Sequence, residues 1–287
     1  MTRGEILMDV ERPQLIGLPT RIRLVEVLGA GSFCTVWRAR DSQTGQDFAI
    51  KLLPINMGGS LAAARLEREA RALSRLNQIE GAVSLHQVGV SADGTAWLLL
   101  DFAAGGSLQD RLPAQVTATA QVGAAQSEPI TALARSLFFA LGQAHEAGVI
   151  HGDISPANVL FGKSDQPLLA DFGMAALLGG GDGALGVAGF TPAYAAPERI
   201  RGGPPDQASD VFALAATLWH ARFAQSPLAV QAPSEQAELQ QDWMLGALRE
   251  LPAERPDALV VARWLKGNLR PHKRMRLRWK YPRKDVE

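Results

Sequence analysis

The stretch His151-Gly152-Asp153-Ile154-Ser155-Pro156-Ala157-Asn158 is followed, thirteen residues after Asn158, by Asp171-Phe172-Gly173. At this spacing Asp153 can accept the proton of an attacking hydroxyl and orient it. Asn158 can coordinate magnesium, and Asp171 can bridge magnesium to the β- and γ-phosphates of a nucleotide, because hard oxygen ligands suit Mg²⁺. His151 is expected to pack and to form hydrogen bonds rather than to catalyse. The stretch predicts a site for phosphoryl transfer, which needs positioning and charge neutralisation more than covalent chemistry.

The composition of the chain is that of an ordinary globular protein. Its 287 residues are 47% hydrophobic and 20% charged, with a formal net charge of zero. The single cysteine, Cys34, excludes an intramolecular disulfide and favours a reducing compartment. No apolar run reaches the roughly 18 residues of a membrane span, and the N-terminus lacks the apolar core of a signal peptide. We therefore expect a cytoplasmic protein without a transmembrane segment.

The zero net charge conceals a strongly basic end of the chain. Eight lysines and arginines and no acidic residue fall between residues 270 and 284, so the remainder is net acidic by eight. Such a run can contact nucleic acid, an anionic membrane surface or an acidic partner. Trp279 and Tyr281 add rings that can stack on bases or lie at a membrane surface. The alternative, a tail that folds back on the acidic body, is at least as well supported by the charge balance.

Two regions of different secondary structure follow one another along the chain. One helix, at about Leu61–Leu76, interrupts strands predicted at Ile22–Leu28, Thr35–Ala39, Asp47–Leu53, Ser84–Gly89 and Thr95–Asp101. From Ser107 onward the pattern is mostly helical, with helices at Glu128–Ala147, Ser209–Arg222, Gln241–Leu251 and Pro256–Lys266. We divide the chain into an N-terminal extension (1–20), a small lobe (21–102), a large lobe (103–268) and a basic tail (269–287). The polar motifs fall at the join, which predicts a cleft between the lobes, a favoured place for ligands.

A glycine-containing turn lies between the first two predicted strands. From Leu28 to Val36, Gly29 and Gly31 allow backbone N–H groups to approach phosphate oxygens, although glycine-rich hairpins are commonly only turns. Cys34 takes the place of the third glycine in G-x-G-x-x-G, and a strand rather than a helix follows, which excludes a Rossmann fingerprint. Cys34 is better explained as a small residue tolerated in place of glycine than as a redox switch.

A lysine and a glutamate are predicted to meet behind this turn. The two-residue period of a strand places Ala49 and Lys51 on one face, where a small residue leaves room for adenine and the lysine can reach phosphates. A lone lysine at a strand end is more commonly solvated, so Lys51 needs a carboxylate partner. Glu69 lies about 60° from Leu66 on the apolar face of the following helix, at 100° per residue, whereas Glu67 points further away. We therefore choose Glu69, with a solvated glutamate as the alternative.

Together these motifs resemble the eukaryotic-type protein kinase family in its bacterial, Hanks-type form, from about Arg21 to Lys266. Residues Thr191–Glu198 resemble the T-P-x-Y-x-A-P-E end of the activation segment, and Asp210 matches the aspartate of the long buried helix. Glu198 and Arg255 match a structural ion pair. The resemblance implies an α+β, bilobal fold, with a small antiparallel β-sheet lobe that carries one helix and a larger, mainly α-helical lobe.

The resemblance also implies the cofactors and the site residues. ATP and Mg²⁺ are the implied cofactors, with Asn158 and Asp171 as metal ligands. The implied catalytic residues are Lys51, Glu69, Asp153, Asn158 and Asp171. Leu100 falls at the gatekeeper position, and the Asp101 carbonyl and Ala103 amide are expected to bind the adenine edge. The implied nucleotide-binding residues are Leu28, Gly29, Gly31, Val36, Ala49, Lys51, Asp101, Ala103 and Leu160. The implied activity is transfer of the γ-phosphoryl group to serine and threonine hydroxyls of protein substrates.

Three features depart from the family pattern. Gly152 replaces the arginine that usually neutralises a phosphorylated activation loop, and residues 174–190 contain no serine, threonine or tyrosine. Each of these two observations accounts for the other, because there is neither a phosphate to add nor an arginine to receive it. We predict activity that does not depend on phosphorylation of residues 174–190. Ser155 replaces the lysine typical of serine/threonine kinases, which puts the rate in doubt, while Thr191 favours serine/threonine specificity.

Two other functions stay open. A pseudokinase, acting as an ATP-binding or scaffolding module, is disfavoured because all five polar positions are retained, but Ser155 and the unusual segment 174–190 keep it open. A small-molecule kinase of the aminoglycoside-phosphotransferase kind also uses a His-Gly-Asp-x-x-x-x-Asn block. Those sequences typically lack the Asp-Phe-Gly motif and the T-P-x-Y-x-A-P-E segment, and both are present here, so this alternative is weaker.

Overall fold

A computed structural model of the chain describes residues 18–30, 34–54, 67–91, 95–112, 127–172, 176–177, 190–224 and 242–267. Several predictions fall outside these residues. They concern Gly31, the first part of the predicted helix at residues 61–66, most of the segment 174–190, and the basic tail 270–284. The boundaries predicted between the four segments of the chain also stay predictions.

A five-stranded antiparallel sheet forms the small lobe. Its strands have the order β1-β2-β3-β5-β4, namely β1 (Ile22–Ala30), β2 (Thr35–Asp41), β3 (Asp47–Pro54), β4 (Leu85–Val90) and β5 (Thr95–Asp101). The predicted strands agree with these bounds to within two residues at each end. Helix α1, described from residue 67 to residue 76, lies between β3 and β4 in the chain. The prediction of a small antiparallel lobe with one helix is confirmed.

The alternation along β3 separates its core side chains from its cleft side chains. Phe48, Ile50 and Leu52 are buried in a cluster with Trp37, Trp97 and four further apolar residues of the sheet. Burying each such side chain stabilises the fold by about 1.5–3 kcal/mol. Because neighbouring residues of a strand point to opposite faces, the residues between these three lie on the other face, toward the cleft.

The large lobe is mainly helical, as predicted. Its helices are α2 (Leu108–Arg111), α3 (Ser127–Glu146), α4 (Pro197–Ile200), α5 (Gln207–Phe223), α6 (Asp242–Ala247) and α7 (Ala258–Leu265). Two short antiparallel pairs of strands lie next to the polar motifs. In one, β6 (Val149–Ile150) pairs with β9 (Ala176–Leu177); the other is a hairpin of β7 (Val159–Phe161) and β8 (Pro167–Leu169). Helices α3 and α5 lie at the centre of the core, where Leu137, Phe138, Phe212 and Leu214 are fully buried.

Local chemistry explains where three of these helices begin or end. Gly148 follows α3 with φ of 75°, a left-handed conformation that favours glycine at a helix C-terminus. Asp206 caps α5, where its carboxylate accepts a hydrogen bond from Ser209 N at 2.7 Å. Helix α6 ends at Ala247, four residues before the helix end that the sequence predicted, Leu251. Leu251 is extended because Pro252 follows it, and a residue before proline disfavours the helical conformation. Among the described residues, no helix is long and apolar enough to cross a membrane.

Candidate functional site

Lys51 is held as a cation in the cleft. It pairs across the sheet with Val36 on β2 and Leu98 on β5. Its ammonium lies 2.8 and 2.9 Å from the two carboxylate oxygens of Glu69 and 2.7 Å from Asp171 Oδ1. Burial opposes the charged ammonium, but the two carboxylates outweigh it and raise the pKa of Lys51. Lys51 therefore stays charged and connects the small lobe with the Asp171 segment of the large lobe.

The structure places Glu69, and not Glu67, at Lys51. Glu69 is 1% exposed and lies among apolar residues of α1 such as Leu73. Glu67 lies on the outer surface of the same helix and pairs with Arg71 one turn later. The helical angle that distinguished the two glutamates in the sequence is the reason for this difference, because only the face that carries Glu69 meets the sheet.

Asp153 is fixed by the residue that follows the unusual segment. Its Oδ1 accepts hydrogen bonds from Thr191 N at 2.8 Å and from Thr191 Oγ1 at 2.9 Å. Burial raises the pKa of Asp153 above its ordinary value, and the bonds from Thr191 lower it. The nearby charge of Asp171 adds to the rise. Asp153 is thus a half-buried carboxylate whose orientation is set by Thr191 and whose basicity is increased by its surroundings.

Asn158 and Asp171 carry oxygens of the kind that bind magnesium. Asn158 Nδ2 donates a hydrogen bond to the Asp153 backbone oxygen at 2.8 Å, which leaves the amide oxygen for a cation. Asp171 has φ of 61°, and its carboxylate is 49% exposed. The fully buried ring of Phe172 anchors the chain directly after it. A carboxylate and an amide oxygen are hard ligands, so these residues fit a magnesium–nucleotide complex.

One buried carboxylate on α5 supports the backbone that precedes Asp153. Asp210 is 1% exposed and accepts hydrogen bonds from His151 N at 2.8 Å and Gly152 N at 2.9 Å. His145 Nε2 lies 3.0 Å from the same carboxylate. The His151 ring packs 4.6 Å from that of Phe172, as expected for a residue that packs rather than catalyses. Asp210 therefore holds the loop through its backbone, whatever side chain position 152 carries.

A different arginine, Arg199, lines the small space beside Gly152. Gly152 has φ of 82°, and the space between it, Phe190 and Arg199 amounts to about 10 Å³. Arg199, on α4, is 4% exposed, and its guanidinium lies 5.0 Å from the centroid of the Phe190 ring. Burial lowers the pKa of Arg199, and carboxylates led by Asp210 counter this. Sequence reasoning missed Arg199 and Phe190, because nothing in their spacing signals that they meet.

Ser155 and Cys34 are the two other unusual positions near the site. Ser155 is 3% exposed and precedes the short helical turn of Pro156–Asn158, so this position offers no cation to a phosphoryl group. Burial raises the pKa of the Cys34 thiol and outweighs the ammonium of Lys51, which lowers it. A raised pKa disfavours the reactive thiolate, so the structure gives no support to a redox switch.

The predicted nucleotide-binding side chains come from both lobes. Gly29 pairs with Val36 across β1 and β2, and Leu28 beside them is 45% exposed. Ala49, two residues before Lys51 on β3, pairs with Leu100 on β5 and so lies nearer the connection between the lobes. Leu160 lies in the large lobe, where it bridges to Ser107 at the start of α2. Leu28 and Gly29 are exposed and Val36 and Ala49 are partly exposed, as expected for a surface that a ligand covers, whereas Lys51 is buried.

The connection between the lobes is braced by the side chain of Asp101. Its Oδ2 accepts a hydrogen bond from Ser84 N at 3.2 Å, and its Oδ1 lies 2.6 Å from His86 Nε2. Two residues further on, the Ala103 carbonyl accepts a bond from Gly106 N at 3.3 Å. The carboxylate of Asp101 therefore serves a structural role at this connection. The role of His86 was missed because it depends on the register of β4 against β5.

A bidentate ion pair closes the base of the large lobe. Arg255 Nη2 lies 2.8 Å from Glu198 Oε2, and Nη1 donates to the other carboxylate oxygen. The Arg255 side chain is fully buried and also donates to the backbone oxygens of Ala208, Arg249 and Glu250. The ion pair expected from the resemblance is present, and it ties the end of the T-P-x-Y-x-A-P-E segment to the loop before α7.

Comparison with known proteins gives one family. The sequence profile of the protein kinase domain matches residues 22–260. Three relatives from Mycobacterium tuberculosis are each 34% identical to the chain: serine/threonine-protein kinase PknK over 195 residues, PknJ over 216 and PknF over 208. The matches cover 68%, 73% and 69% of this chain and 17%, 35% and 41% of the respective relatives. The chain thus spans less than half the length of the curated relatives it matches.

Proposed function

The chain belongs to the protein kinase domain family, and we propose that it transfers the γ-phosphoryl group of ATP to serine and threonine hydroxyls of protein substrates, with Mg²⁺ as the metal. The observation that supports this proposal most directly is the meeting of a general base, a buried cation and a metal-binding carboxylate. Lys51 is bonded to Asp171, and the charge of Asp171 acts on Asp153. The names of the serine/threonine-protein kinase relatives support the acceptor class.

Each polar residue has a defined task in this proposal. Asp153 accepts the proton of the substrate hydroxyl. Its Oδ1 takes both bonds from Thr191, and its Oδ2, which has one long contact of 3.5 Å with Asn158 Nδ2, faces that hydroxyl. Lys51 holds the phosphates, and Asn158 and Asp171 hold the metal. The magnesium–nucleotide complex supplies the transferable group and neutralises its charge. Lys51 Nζ lies 2.7 Å from Asp171 Oδ1, so a bound nucleotide would have to share or replace this contact in order to place its phosphates at Lys51.

Phosphoryl transfer is tested with labelled ATP, Mg²⁺ and generic protein substrates. Wild type is expected to label serine and threonine, whereas Asp153→Asn and Asp171→Asn lose label transfer, typically by factors of about 10²–10⁴ for a general base. Glu67→Gln, an exposed residue of α1, is the matched control and keeps wild-type activity. Equal transfer by wild type and Asp153→Asn would refute the enzyme proposal. ATP binding without any transfer would establish a pseudokinase instead.

The proposal extends to control by the activation segment. Gly152 provides no guanidinium, and residues 174–190 provide no hydroxyl to phosphorylate. Arg199 instead lies over the ring of Phe190, the residue before Thr191, which positions Asp153. A desolvated cation–π contact contributes about 2 kcal/mol. This contact supports an activation segment whose end is anchored without a phosphate.

Two measurements test this anchoring. Protein treated with a broad phosphatase is expected to keep its activity, and loss of activity on dephosphorylation at Thr191 would overturn the idea. Arg199→Met is expected to lower kcat by roughly tenfold with little change in the KM for ATP, because a contact of about 1–2 kcal/mol that orients Asp153 through Thr191 is lost. Arg201→Met, which removes an exposed pair with Glu250, is the control. An unchanged kcat in Arg199→Met would refute a positioning role.

A role for the basic tail is a separate proposal that rests on sequence alone. Residues 270–284 carry eight positive charges, which suit nucleic acid, an anionic membrane surface or an acidic partner. Binding to DNA or to anionic vesicles that weakens with salt, and that is lost when residues 270–287 are deleted, is the expected result. Binding that persists after the deletion would refute the role of the tail.

A further inference from the structure

An arginine near the end of α5 is buried, and none of the residues that the structure describes provides a counter-ion for it. Arg222 is 7% exposed, and its Nε and Nη1 are fully buried without a hydrogen-bond partner in the part of the chain that the structure describes. Its guanidinium carbon lies 5.5 Å from the centroid of the Phe223 ring. Burying an unpaired charge is costly, so such groups are normally paired. An arginine left in this condition points to an anion that comes from elsewhere.

Arg222 lines a cavity of about 510 Å³ in the large lobe. The cavity lies between α2, the first half of α3, the β7–β8 hairpin and the end of α5, and it shares no residue with the site around Asp153. Its volume falls within the range of about 300–1,000 Å³ typical of small-molecule sites. Most of its wall is apolar, formed by Leu108, Ile130, Leu133, Phe161, Pro167 and Ala221.

The charges around the cavity leave one positive charge uncompensated. Arg111 also lines it, but its Nη2 lies 2.5 Å from Asp165 Oδ1 and its guanidinium stacks 3.4 Å from the Phe161 ring centroid. That pair is therefore neutral. The C-terminal end of α5 offers Arg222 a partial negative charge of about half a unit from the helix dipole. This offsets only part of the Arg222 charge and provides none of its missing hydrogen bonds.

We propose that this cavity binds a small amphipathic carboxylate, with its head on Arg222 and its apolar body against the Leu108–Phe161 side. A carboxylate accepts paired hydrogen bonds from a guanidinium and carries the single charge that is missing. A phosphate monoester carries about −1.5 to −2 at neutral pH and would leave a buried negative excess. The predominantly apolar wall selects a ligand with a hydrocarbon chain over a small polar acid. The proposal does not depend on the kinase activity proposed above.

The test uses dodecanoate below its micellar concentration, measured by titration calorimetry on the full chain. Dodecanol, which keeps the hydrocarbon chain without the charge, is the ligand control. Wild type is expected to bind dodecanoate at least about tenfold more tightly than dodecanol, as a charged hydrogen bond of about 1.4 kcal/mol or more requires. Arg222→Leu is expected to lose this preference, and Arg135→Leu, on the exposed face of α3, keeps it.

Two further measurements keep the result interpretable. Without ligand, Arg222→Leu is expected to unfold at a higher temperature than wild type, because an unpaired buried charge is removed. Leu133→Trp, which fills the cavity and leaves Arg222 in place, is expected to abolish binding of both ligands. The proposal is overturned if wild type does not distinguish dodecanoate from dodecanol, or if Arg222→Leu keeps the preference. It is equally overturned if Arg222→Leu is destabilised, since Arg222 would then already have a partner.

Discussion

Restoring an arginine at position 152 is expected to damage this protein rather than to give it conventional regulation. Gly152 has φ of 82°, a conformation in which a Cβ atom costs about 1–2 kcal/mol. Gly152→Ala is therefore expected to lower the free energy of unfolding by that amount. For a domain of this size the midpoint falls by about 2–4 °C for each kcal/mol, so the expected decrease is about 2–8 °C.

Gly152→Arg adds two further costs. The space bounded by Gly152, Phe190 and Arg199 is about 10 Å³, at the lower limit of the roughly 10–15 Å³ that one water molecule needs. Forcing a long side chain into a packed region costs typically about 1–3 kcal/mol. Its guanidinium would also meet that of Arg199, which is 4% exposed, so the like charges are poorly screened. The backbone and packing costs together give a loss of about 2–5 kcal/mol, and the repulsion between the two guanidinium groups adds to it.

Urea denaturation followed by tryptophan fluorescence measures these losses. Gly45→Ala is the matched control, because Gly45 has φ of 72° and an added Cβ would meet no atom within 4 Å, so it reports backbone strain alone. Gly152→Ala should resemble Gly45→Ala, and Gly152→Arg should be clearly worse than both. A Gly152→Arg protein as stable as wild type would refute the reasoning, because it would mean that Arg199 does not line this space.

Two further predictions concern the protonation of Asp153 and the partner of Lys51. Burial raises the pKa of Asp153, so the acid limb of the kcat/KM profile is expected to lie at a higher pH than it would for an ordinary aspartate. Thr191→Ala removes a hydrogen bond that lowers this pKa and should move the acid limb of the pH–rate profile to still higher pH; an unmoved limb would contradict the assignment. Glu69→Gln should lower the free energy of unfolding by an amount near the lower end of about 3–5 kcal/mol, because Lys51 then keeps only Asp171 as a charged partner. The same change should reduce kcat/KM. Glu67→Gln, at an exposed position of the same helix, should change the thermal midpoint very little.

Local periodicity accounts for the part of this architecture that the sequence predicts. The alternation along β3 separates Phe48 and Ile50 from Lys51, and the angle of α1 distinguishes Glu69 from Glu67. Both patterns are local, because a strand or a helix fixes the side of each residue before any tertiary contact forms. The fold prediction depends on such patterns together with the order of the motifs, and it is confirmed by the sheet, the helices and the family match.

Contacts between distant segments account for what the sequence does not predict. Arg199 and Arg201 lie two residues apart, yet Arg199 is buried against Phe190 and Arg201 forms an exposed ion pair. No spacing rule in the sequence distinguishes these two environments. Arg222 is similarly hidden, because an arginine in the last turn of a helix is usually a solvated residue that complements the helix dipole. Its burial depends on how α3 and the β7–β8 hairpin pack against α5, which no local pattern specifies.

The structure separates two tasks at the loop around position 152. The carboxylate of Asp210 fixes this loop through the backbone N–H groups of His151 and Gly152, and it is itself fixed because α5 is buried along most of its length. Those bonds need no side chain at position 152. Asp153 is oriented from the other direction by Thr191, whose neighbouring residue Phe190 is covered by the Arg199 guanidinium. An arginine at 152 would add a receptor for phosphate but no support for the backbone, so a glycine at this position leaves the scaffold of the site in place.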